Sequence, residues 1–371
     1  MRGSVKLATI YGIPVLLHWS FGLIFVWLAY VGISQGMDTI GILWFFFFAI
    51  LLFICVVIHE FGHALTARKY GVDTKDIILS PIGGLARLKR LPEKPIHEFL
   101  IAIAGPAANV VIALLLFPVI YFSGAMSFII TDSAEVLFTK PSNLVPLLFY
   151  TNITLVIFNM IPAFPMDGGR VLRSLLAMGM ERYQATRIAV VIGQILGLTF
   201  LMGGIFMGEL ILALIGIFVF FMATAELRSA KTESLLGNRK VVHIMRERFT
   251  RVTKDQKVGE LAAWFMTGME DSFLVFREDG YRFAGVLNAK KIEESLRSGE
   301  NSKLIADLMT EKIAFLTPNQ SLKDAFYTLL EEDVDILPVL SGREIIGVVD
   351  RRALNSALQS KTSKQEQEQV A

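Results

Sequence analysis

An unbroken apolar run, residues 45–58, ends directly in the sequence His-Glu-Phe-Gly-His at 59–63. Metal-ligating and charged side chains at the end of a membrane-length apolar segment are costly unless they bind something, so this junction constrains the fold strongly. Residues four apart lie on one face of a helix, so His59 and His63 can offer imidazole nitrogens to one Zn²⁺. Glu60, beside them, can accept a proton from a water at the metal. The alternative is a pair of interfacial histidines at a helix end, without a metal.

The composition places much of the chain in a membrane. Of its 371 residues, 53% are hydrophobic and only 19% are charged, which is rare for a soluble globular chain. A net charge of +2 offers no basic excess for a nucleic-acid partner. The single cysteine, Cys55, excludes an internal disulfide. It lies one helical turn before His59 and is either a small apolar packing residue or a further metal ligand.

We predict six membrane-spanning helices from the apolar segments of the first half of the chain. The segments are residues 13–33, 40–65, 99–122, 144–161, 188–207 and 210–222. Lysine and arginine are concentrated on one side of these spans, whereas the loops on the other side hold one lysine between them. The positive-inside rule then places both termini in the cytoplasm, at the plasma membrane. It also places the histidine motif and Asp167, which follows the fourth span, at a similar cytoplasmic depth.

Residues 77–88 predict a short hairpin at the membrane interface, because β-type residues begin it and Pro81 and two glycines break any helix. A glycine-rich strand beside a metal site could pair with an extended peptide by edge addition, which makes Gly83 and Gly84 candidate substrate-binding residues. A plain connecting hairpin is an equally good interpretation.

Two polar residues in the spans leave their roles open. His18, near the start of the first span, is either an interfacial residue or part of a site. Asn109, inside the third span, requires a hydrogen-bond partner because an unpaired amide is costly in a membrane.

The chain after Ala225 has the composition of a soluble domain and contains an internal repeat. The sequence Phe-Leu-Val-Phe at 273–276 is echoed at 336–340, and Gly-Val-Leu at 285–287 is echoed at 347–349. Each repeat reads as a short strand, a helix, two strands and a closing helix, which predicts an α/β fold.

Four segments, in this order, resemble the site-2 protease family of intramembrane zinc metalloproteases. They are His-Glu-Phe-Gly-His at 59–63, Pro-Ile-Gly-Gly at 81–84, Gly-Pro-Ala-Ala-Asn at 105–109, and Asn-Met-Ile-Pro-Ala-Phe-Pro-Met-Asp-Gly-Gly at 159–169. The resemblance implies that His59, His63 and Asp167 bind one catalytic Zn²⁺ per chain. It further implies that Glu60 is the general base and that Asn159 stabilises the oxyanion.

Residues 243–359 resemble a paired CBS (Bateman) module, as carried by one branch of that family. Such pairs often join face to face, so a homodimer through this module is expected. Nucleotide-binding CBS units carry the pattern Gly-h-h-[Ser/Thr]-x-x-Asp, in which h is a hydrophobic residue. The aspartate that ends this pattern binds the ribose. The two copies here place Asn288 and Asp350 at the Ser/Thr position and Lys291 and Ala353 at the aspartate position. Adenosine-nucleotide binding is therefore disfavoured.

The expected fold is an α-helical polytopic membrane protein, with six transmembrane helices and a small membrane-associated β-element, joined to a soluble α/β CBS pair. The expected parts are a protease domain at 1–226, a linker at 227–242, CBS repeats at 243–298 and 299–360, and a disordered tail at 361–371.

The expected activity is that of a zinc-dependent intramembrane endopeptidase. It would hydrolyse a peptide bond in or near a transmembrane helix of a membrane-protein substrate within the lipid bilayer, with modulation by the CBS pair. A regulated transporter or channel explains the spans but not the histidine motif with a downstream aspartate. A non-catalytic relative that only binds membrane segments is disfavoured by the intact Glu60.

Overall fold

The computed structural model describes residues 3–81, 83–123, 143–237, 239–262 and 270–357. The predicted disordered tail and nearly all of the predicted far-side loop at 124–143 lie outside these residues. The chain divides into two compact units, Met1–Ala230 and Lys231–Ala371. We refer to them as the membrane unit and the soluble unit.

Seven helices of the described residues belong wholly or partly to the membrane unit. They are α1 Gly22–Ser34, α2 Thr39–Lys69, α3 Pro95–Ser123, α4 Leu144–Asn159, α5 Asp167–Ala177, α6 Arg182–Met207 and α7 Leu210–Leu236. Four of these, α2, α3, α6 and α7, are long and apolar enough to cross a membrane. The apolar segments Trp19–Ser34 and Leu144–Asn159 are shorter. Membrane-length apolar helices are thus confirmed among the described residues.

The membrane unit contains a four-stranded sheet with the strand order β1-β2-β3-β4. Two of its strands come before helices α1 and α2 in the sequence, and two come after them. Its strands are β1 Ser4–Ile10, β2 Ile13–His18, β3 Thr74–Ser80 and β4 Gly83–Leu88. Strands β2 and β3 are parallel, and the other neighbouring pairs are antiparallel. The hairpin predicted over residues 77–88 is therefore present, as β3 and β4.

The prediction that the first span begins at residue 13 is wrong. Residues 13–18 form β2, and the helix that follows begins only after a 3₁₀ turn at Trp19–Phe21. Val15, Leu16 and Leu17 align with Ile77, Ile78 and Leu79 of β3. An apolar run by itself does not distinguish a buried strand from the start of a helix, and pairing with β1 on one side and with the distant β3 on the other makes residues 13–18 a strand.

The sheet packs on the half of α2 that contains the histidine motif. Ile13 and Ile77, both fully buried, join Phe61 and Ala64 of α2 in one apolar cluster. Strand β4 is an edge strand of this sheet, so its outer edge has no partner strand within the sheet and is available to contact another part of the membrane unit.

The segment between α4 and α5 is tightly turned. A Cβ atom on Gly169 would lie 2.7 Å from the carbonyl carbon of Ala163, and Gly168 lies as tightly against Met160 and Ile161. These glycines let α5 begin directly against the loop that precedes it, so that Asp167 becomes its first residue.

The soluble unit contains two β-hairpins that correspond to the predicted repeat. Strand β5 Arg251–Thr253 pairs with the hairpin of β6 Phe273–Phe276 and β7 Phe283–Leu287. The second hairpin is β8 Ile336–Ser341 and β9 Glu344–Asp350. Helices α8 Ala289–Arg297, α9 Ile305–Leu308 and α10 Leu322–Glu332 also belong to this unit.

The segment that begins each repeat pairs with the last strand of the other repeat. Arg246 exchanges two backbone hydrogen bonds with Val348, each 2.9 Å long, and Thr310 exchanges two with Val286. Residues of both repeats, including Leu274 and Leu337, share one apolar core. Helix α7 continues through the first part of the predicted linker at 227–242 and ends at Leu236.

Candidate metal centre

Three side chains that can bind a metal converge in the membrane unit, and they come from two segments that are distant in the sequence. His59 and His63 lie on α2, and Asp167 begins α5. Oδ2 of Asp167 is 3.2 Å from Nε2 of His59 and 3.1 Å from Nε2 of His63, and the two nitrogens are 3.1 Å apart. All three residues are buried. One nitrogen from each histidine and one carboxylate oxygen are the donors that a catalytic zinc site uses, with a further position for water.

The opposite nitrogens of both histidines bind groups on α3. Nδ1 of His59 donates to Oδ1 of Asn109 at 3.0 Å, and Nδ1 of His63 donates to the carbonyl oxygen of Ile101 at 2.7 Å. A carbonyl oxygen only accepts, so Nδ1 of His63 carries the proton. Each Nε2 then keeps its lone pair toward Asp167, which is the tautomer a metal needs.

Gly105 of α3 lies directly above the two Nε2 atoms. A Cβ atom built on Gly105 would lie 2.7 Å from Nε2 of His59 and closer still to Nε2 of His63. Any other residue here would fill the space that an ion bound by the two histidines requires. Gly62 of α2 allows α2 and α3 to approach closely, since a Cβ atom built on it would lie 2.5 Å from the carbonyl oxygen of Ala104. The two imidazole nitrogens, the carboxylate oxygen and the space left by Gly105 therefore fit a zinc ion.

The electrostatic surroundings favour an ionised Asp167. Burial alone would raise the pKa of Asp167, but the facing imidazoles of His63 and His59 and the guanidinium of Arg170 lower it by a larger amount. The pKa of Asp167 therefore lies well below its ordinary value. Arg170 Nη1 is 3.9 Å from Oδ1, the carboxylate oxygen that does not face the histidines.

Glu60 is held by the sheet. Its Oε2 accepts a hydrogen bond of 2.8 Å from the backbone N–H of Ala86 in β4. A Cβ atom on Gly84 would lie 2.7 Å from Cγ of Glu60, so the missing side chain lets β4 lie directly against this residue. The outer edge of β4 and the buried carboxylate of Glu60 thus form one arrangement beside the histidines.

Two other candidate residues lie at the ends of their elements. Asn159 is the last residue of α4 and half-buried, and among the described residues its amide makes no hydrogen bond to His59, His63 or Asp167. Gly83 begins β4 with a φ of 130°, a conformation that glycine adopts without strain.

The open roles of three polar or sulfur-containing residues are now assigned. Nδ1 of His18 accepts from the backbone N–H of Ser20 and lies 2.6 Å from its hydroxyl, so His18 caps a 3₁₀ turn. Cys55 is buried in an apolar cluster, with Nδ2 of Asn152 3.5 Å from its sulfur, and packs rather than joining the metal-binding group. Asn109 finds its hydrogen-bond partner in His59.

Sequence reasoning missed the contributions of backbone atoms to this site. The carbonyl of Ile101 and the N–H of Ala86 are supplied by residues whose side chains carry no chemical signal. Nor does the residue type of Gly105 reveal its place over the two imidazoles. Its position in the Gly-Pro-Ala-Ala-Asn segment, next to Asn109, was the signal available in the sequence.

Comparison with family models gives two matches in the chain. Residues 47–203 match the model of peptidase family M50, and residues 305–360 match the model of the CBS domain. The first range contains all three donors and Glu60, and the second covers the later of the two repeats.

Individual relatives agree with these matches. A zinc metalloprotease of Methanocaldococcus jannaschii is 38% identical over 263 residues, which cover 70% of this chain and 71% of the relative. A Synechocystis protein, also named as a zinc metalloprotease, is 27% identical and aligned over 97% of both chains. Among solved structures, a site-2 protease from Methanocaldococcus jannaschii is 38% identical and covers 61% of this chain and 95% of its own, with a TM-score of 0.46.

Proposed function

We propose residue roles and a substrate class for this chain, which belongs to peptidase family M50, the site-2 proteases, and is an intramembrane zinc metalloprotease. We propose that it cleaves a transmembrane protein at a peptide bond in or near a membrane-spanning helix, close to the cytoplasmic face. The convergence of His59, His63 and Asp167 under Gly105 carries this proposal.

The three converging side chains hold one zinc ion per chain in the proposed enzyme. His59 and His63 contribute Nε2, and Asp167 contributes a carboxylate oxygen. When bound, zinc supplies Lewis acidity, which polarises a carbonyl oxygen and lowers the pKa of water to near neutrality. Asn109 and the Ile101 carbonyl keep the two imidazoles oriented by holding the protons on Nδ1.

Glu60 acts as the general base in this proposal. Its Oε2 is occupied by the N–H of Ala86, which leaves Oε1 to take the proton of the attacking water and to pass it to the departing amine. Burial beside the apolar body of α2 keeps bulk water away from this transfer. Asn159 is proposed as a donor to the oxyanion, reached when substrate is bound, since it ends α4 just before the loop that leads to Asp167.

The edge of β4 is proposed to hold the substrate in extended form. A peptide bond within a helix is shielded by its own hydrogen bonds, so the substrate must unwind before hydrolysis. Strand β4 ends the sheet, and the N–H of Ala86 shows that its outer edge faces Glu60. A substrate strand added along Gly83 and Gly84 would therefore lie beside the base.

The arrangement in the membrane is proposed from length and charge. We propose six spans, with α1 and α4 as short ones among the longer helices, and both termini in the cytoplasm at the plasma membrane. The CBS domain at 305–360, with its repeat partner, is proposed to modulate the activity and to form a homodimer contact.

Separating the metal ligands from the base tests the proposed roles. Glu60→Gln leaves all three donors in place and removes only proton acceptance, which is typically worth about 10²–10⁴ in rate. The purified Glu60→Gln protein should keep its zinc and lose cleavage of a single-span test substrate by that factor. Asp167→Ala should lose zinc and activity together.

Metal content by mass spectrometry and product formation with matched detergent-purified proteins measure both outcomes. His18→Asn serves as the control, because His18 caps a turn away from the donors and should keep both zinc and cleavage. Full zinc occupancy and full cleavage in Asp167→Ala would refute the proposed site.

A further inference from the structure

A group of four charged side chains, two of them buried, joins the helix of Asp167 to three other helices of the membrane unit. Glu98, in the first turn of α3, is fully buried, and Arg173 on α5 is 2% exposed. Nε of Arg173 donates to Oε1 of Glu98 at 2.7 Å, and its Nη1 pairs with Glu226 on α7. Arg182, the first residue of α6, pairs with Oε2 of Glu98. Two positive and two negative charges thus balance one another.

Stability alone does not account for such a group. Removing charges from water costs free energy that their mutual attraction often fails to recover, and apolar residues of similar volume frequently stabilise a protein as well or better. What a buried arginine–carboxylate pair does supply is a fixed geometry, because the planar guanidinium donates in defined directions. The pair of Arg173 and Glu98 therefore fixes the position of α5 relative to α3.

The contacts of this pair lead to two of the three proposed metal donors, Asp167 and His63. Arg173 follows Asp167 by six residues on the same short helix, about 9 Å along its axis. Glu98 precedes Ile101 by three residues on α3, and the Ile101 carbonyl accepts the proton of His63. One end of α3 therefore holds His63 directly and holds the helix of Asp167 through Arg173.

The guanidinium of Arg173 also lies 5.1 Å from the ring centroid of Phe164. Phe164 belongs to the loop that turns into α5, and it is buried in a cluster with Ala189 and Val190 of α6 and Ala223 of α7. The loop before Asp167 and the helix after it are thus held by the same side chain.

We propose that Glu98 and Arg173 are the positioning pair of the metal centre, which sets α5 where the Asp167 carboxylate reaches both histidines. This inference rests on the proposed role of Asp167 as a zinc ligand. Glu226, whose side chain is 33% exposed, is the weaker arm of the group.

The double variant Glu98→Met/Arg173→Met tests the pair. It removes both fully buried members, and the remaining Arg182 and Glu226 side chains, 24% and 33% exposed, can turn to solvent. We expect the helical circular dichroism to persist, zinc affinity to fall by about tenfold or more as when a group that orients a ligand is lost, and kcat to fall with KM little changed. In the Co²⁺-substituted protein the visible absorption bands should shift, because they report the geometry of the donors.

Three single variants grade the effect. Arg173→Lys keeps the charge but loses the fork, so it should restore part of the zinc affinity relative to the double variant. Glu226→Gln should have the smallest effect of the series. Gln194→Leu is the matched control, because it removes a 3.1 Å hydrogen bond to Thr224 between α6 and α7 without touching α5.

The outcomes separate this inference from the proposed function. Unchanged zinc affinity, Co²⁺ spectrum and kcat in the double variant, together with zinc loss in Asp167→Ala, would overturn the positioning role and leave the ligand assignment intact. Zinc retained in Asp167→Ala would overturn both. If the double variant did not fold, Arg173→Lys with a native spectrum and affinity would refute the inference, and an altered spectrum in a folded protein would support it.

Discussion

Both units of this protein use glycine to bring backbone close to another group, yet the groups they approach differ completely. In the membrane unit, Gly105 lies over the Nε2 atoms of His59 and His63. In the soluble unit, Gly347 lies against the carbonyl oxygen of Arg246, and Gly285 lies even closer to that of Thr310. The same residue type therefore preserves space for a ligand in one unit and lets two chain segments pair in the other. The group opposite a glycine therefore determines whether the glycine leaves room for a ligand or allows two chain segments to pair.

The buried polar groups of the two units show the same contrast. The histidines and Asp167 of the membrane unit direct their ligand atoms at one another around a shared point. In the soluble unit, Asp350 accepts from the N–H of Ala353 and from Arg246, so its carboxylate is used within the fold. Asn288 likewise bridges backbone atoms of residues 333 and 335. Polar side chains that satisfy each other within the fold carry little spare binding capacity.

The largest effect expected from this contrast is that of Gly105→Ala. The added methyl group would overlap the position of the imidazole nitrogens, so zinc binding and cleavage should both be lost. Gly203→Ala on α6 is the control, since the nearest side-chain atom to its added Cβ would be 4.0 Å away. Zinc content of the two purified variants measures the difference. Full zinc in Gly105→Ala would show that the glycine does not guard the site.

A smaller effect is expected from Ala86→Pro. Proline lacks the N–H that holds Oε2 of Glu60, and this N–H is not needed to pair β4 with β3 because it points to α2. Loss of one hydrogen bond to a charged group is worth about 1.5–3 kcal/mol, so kcat should fall by about tenfold to a hundredfold with zinc retained. Ala86→Val, which keeps the N–H, is the matched comparison and should retain most of the rate. Equal rates in both variants would remove the link between strand and base.

In the soluble unit the same glycine substitution should change stability rather than chemistry. The Cβ atom of Gly347→Ala would lie 2.8 Å from the Arg246 oxygen, and overpacking of this kind costs about 1–3 kcal/mol. We expect faster hydrogen exchange in the strands of the soluble unit, with zinc content unchanged in the full-length protein. Gly285→Ala, with its tighter contact, should produce the larger change. Loss of zinc in either variant would break the contrast between the units.

The smallest effect is expected from adenosine nucleotides. Both copies of the nucleotide-binding pattern lack the closing aspartate, with Lys291 and Ala353 at that position. Asp350 and Asn288 are already committed to contacts within the fold. Calorimetry of the full-length protein with AMP and ATP should therefore detect weak binding or none, and micromolar affinity would contradict the prediction.

The sequence was most informative where chemistry and local periodicity coincide. The i, i+4 spacing of His59 and His63 after an apolar run predicted one helix face, and α2 presents both nitrogens on that face. The hairpin at residues 77–88 followed from its proline and glycines, because those residues limit the backbone locally. The internal repeat was visible for a similar reason, since equal strand and turn patterns produce equal local structures.

Prediction was weaker wherever the deciding partner was distant in the chain. Residues 13–18 resemble the start of a span, and pairing with β1 and with the distant β3 makes them a strand. Neither the Ala86 N–H nor the Ile101 carbonyl has a signature in its own side chain. The four-charge group around Arg173 also depends on helices separated by many residues.

The sequence by itself determined the chemistry that is available: a histidine pair with its glutamate, apolar helices to surround them, and a repeated soluble module. Those features follow from side-chain type and spacing, which act over a few residues. Tertiary structure alone decided that Asp167 reaches the histidines 3.1–3.2 Å away, that Gly105 leaves room above them, and that β4 holds Glu60. Those features depend on how distant segments pack, and packing is a property of the whole chain rather than of any one stretch.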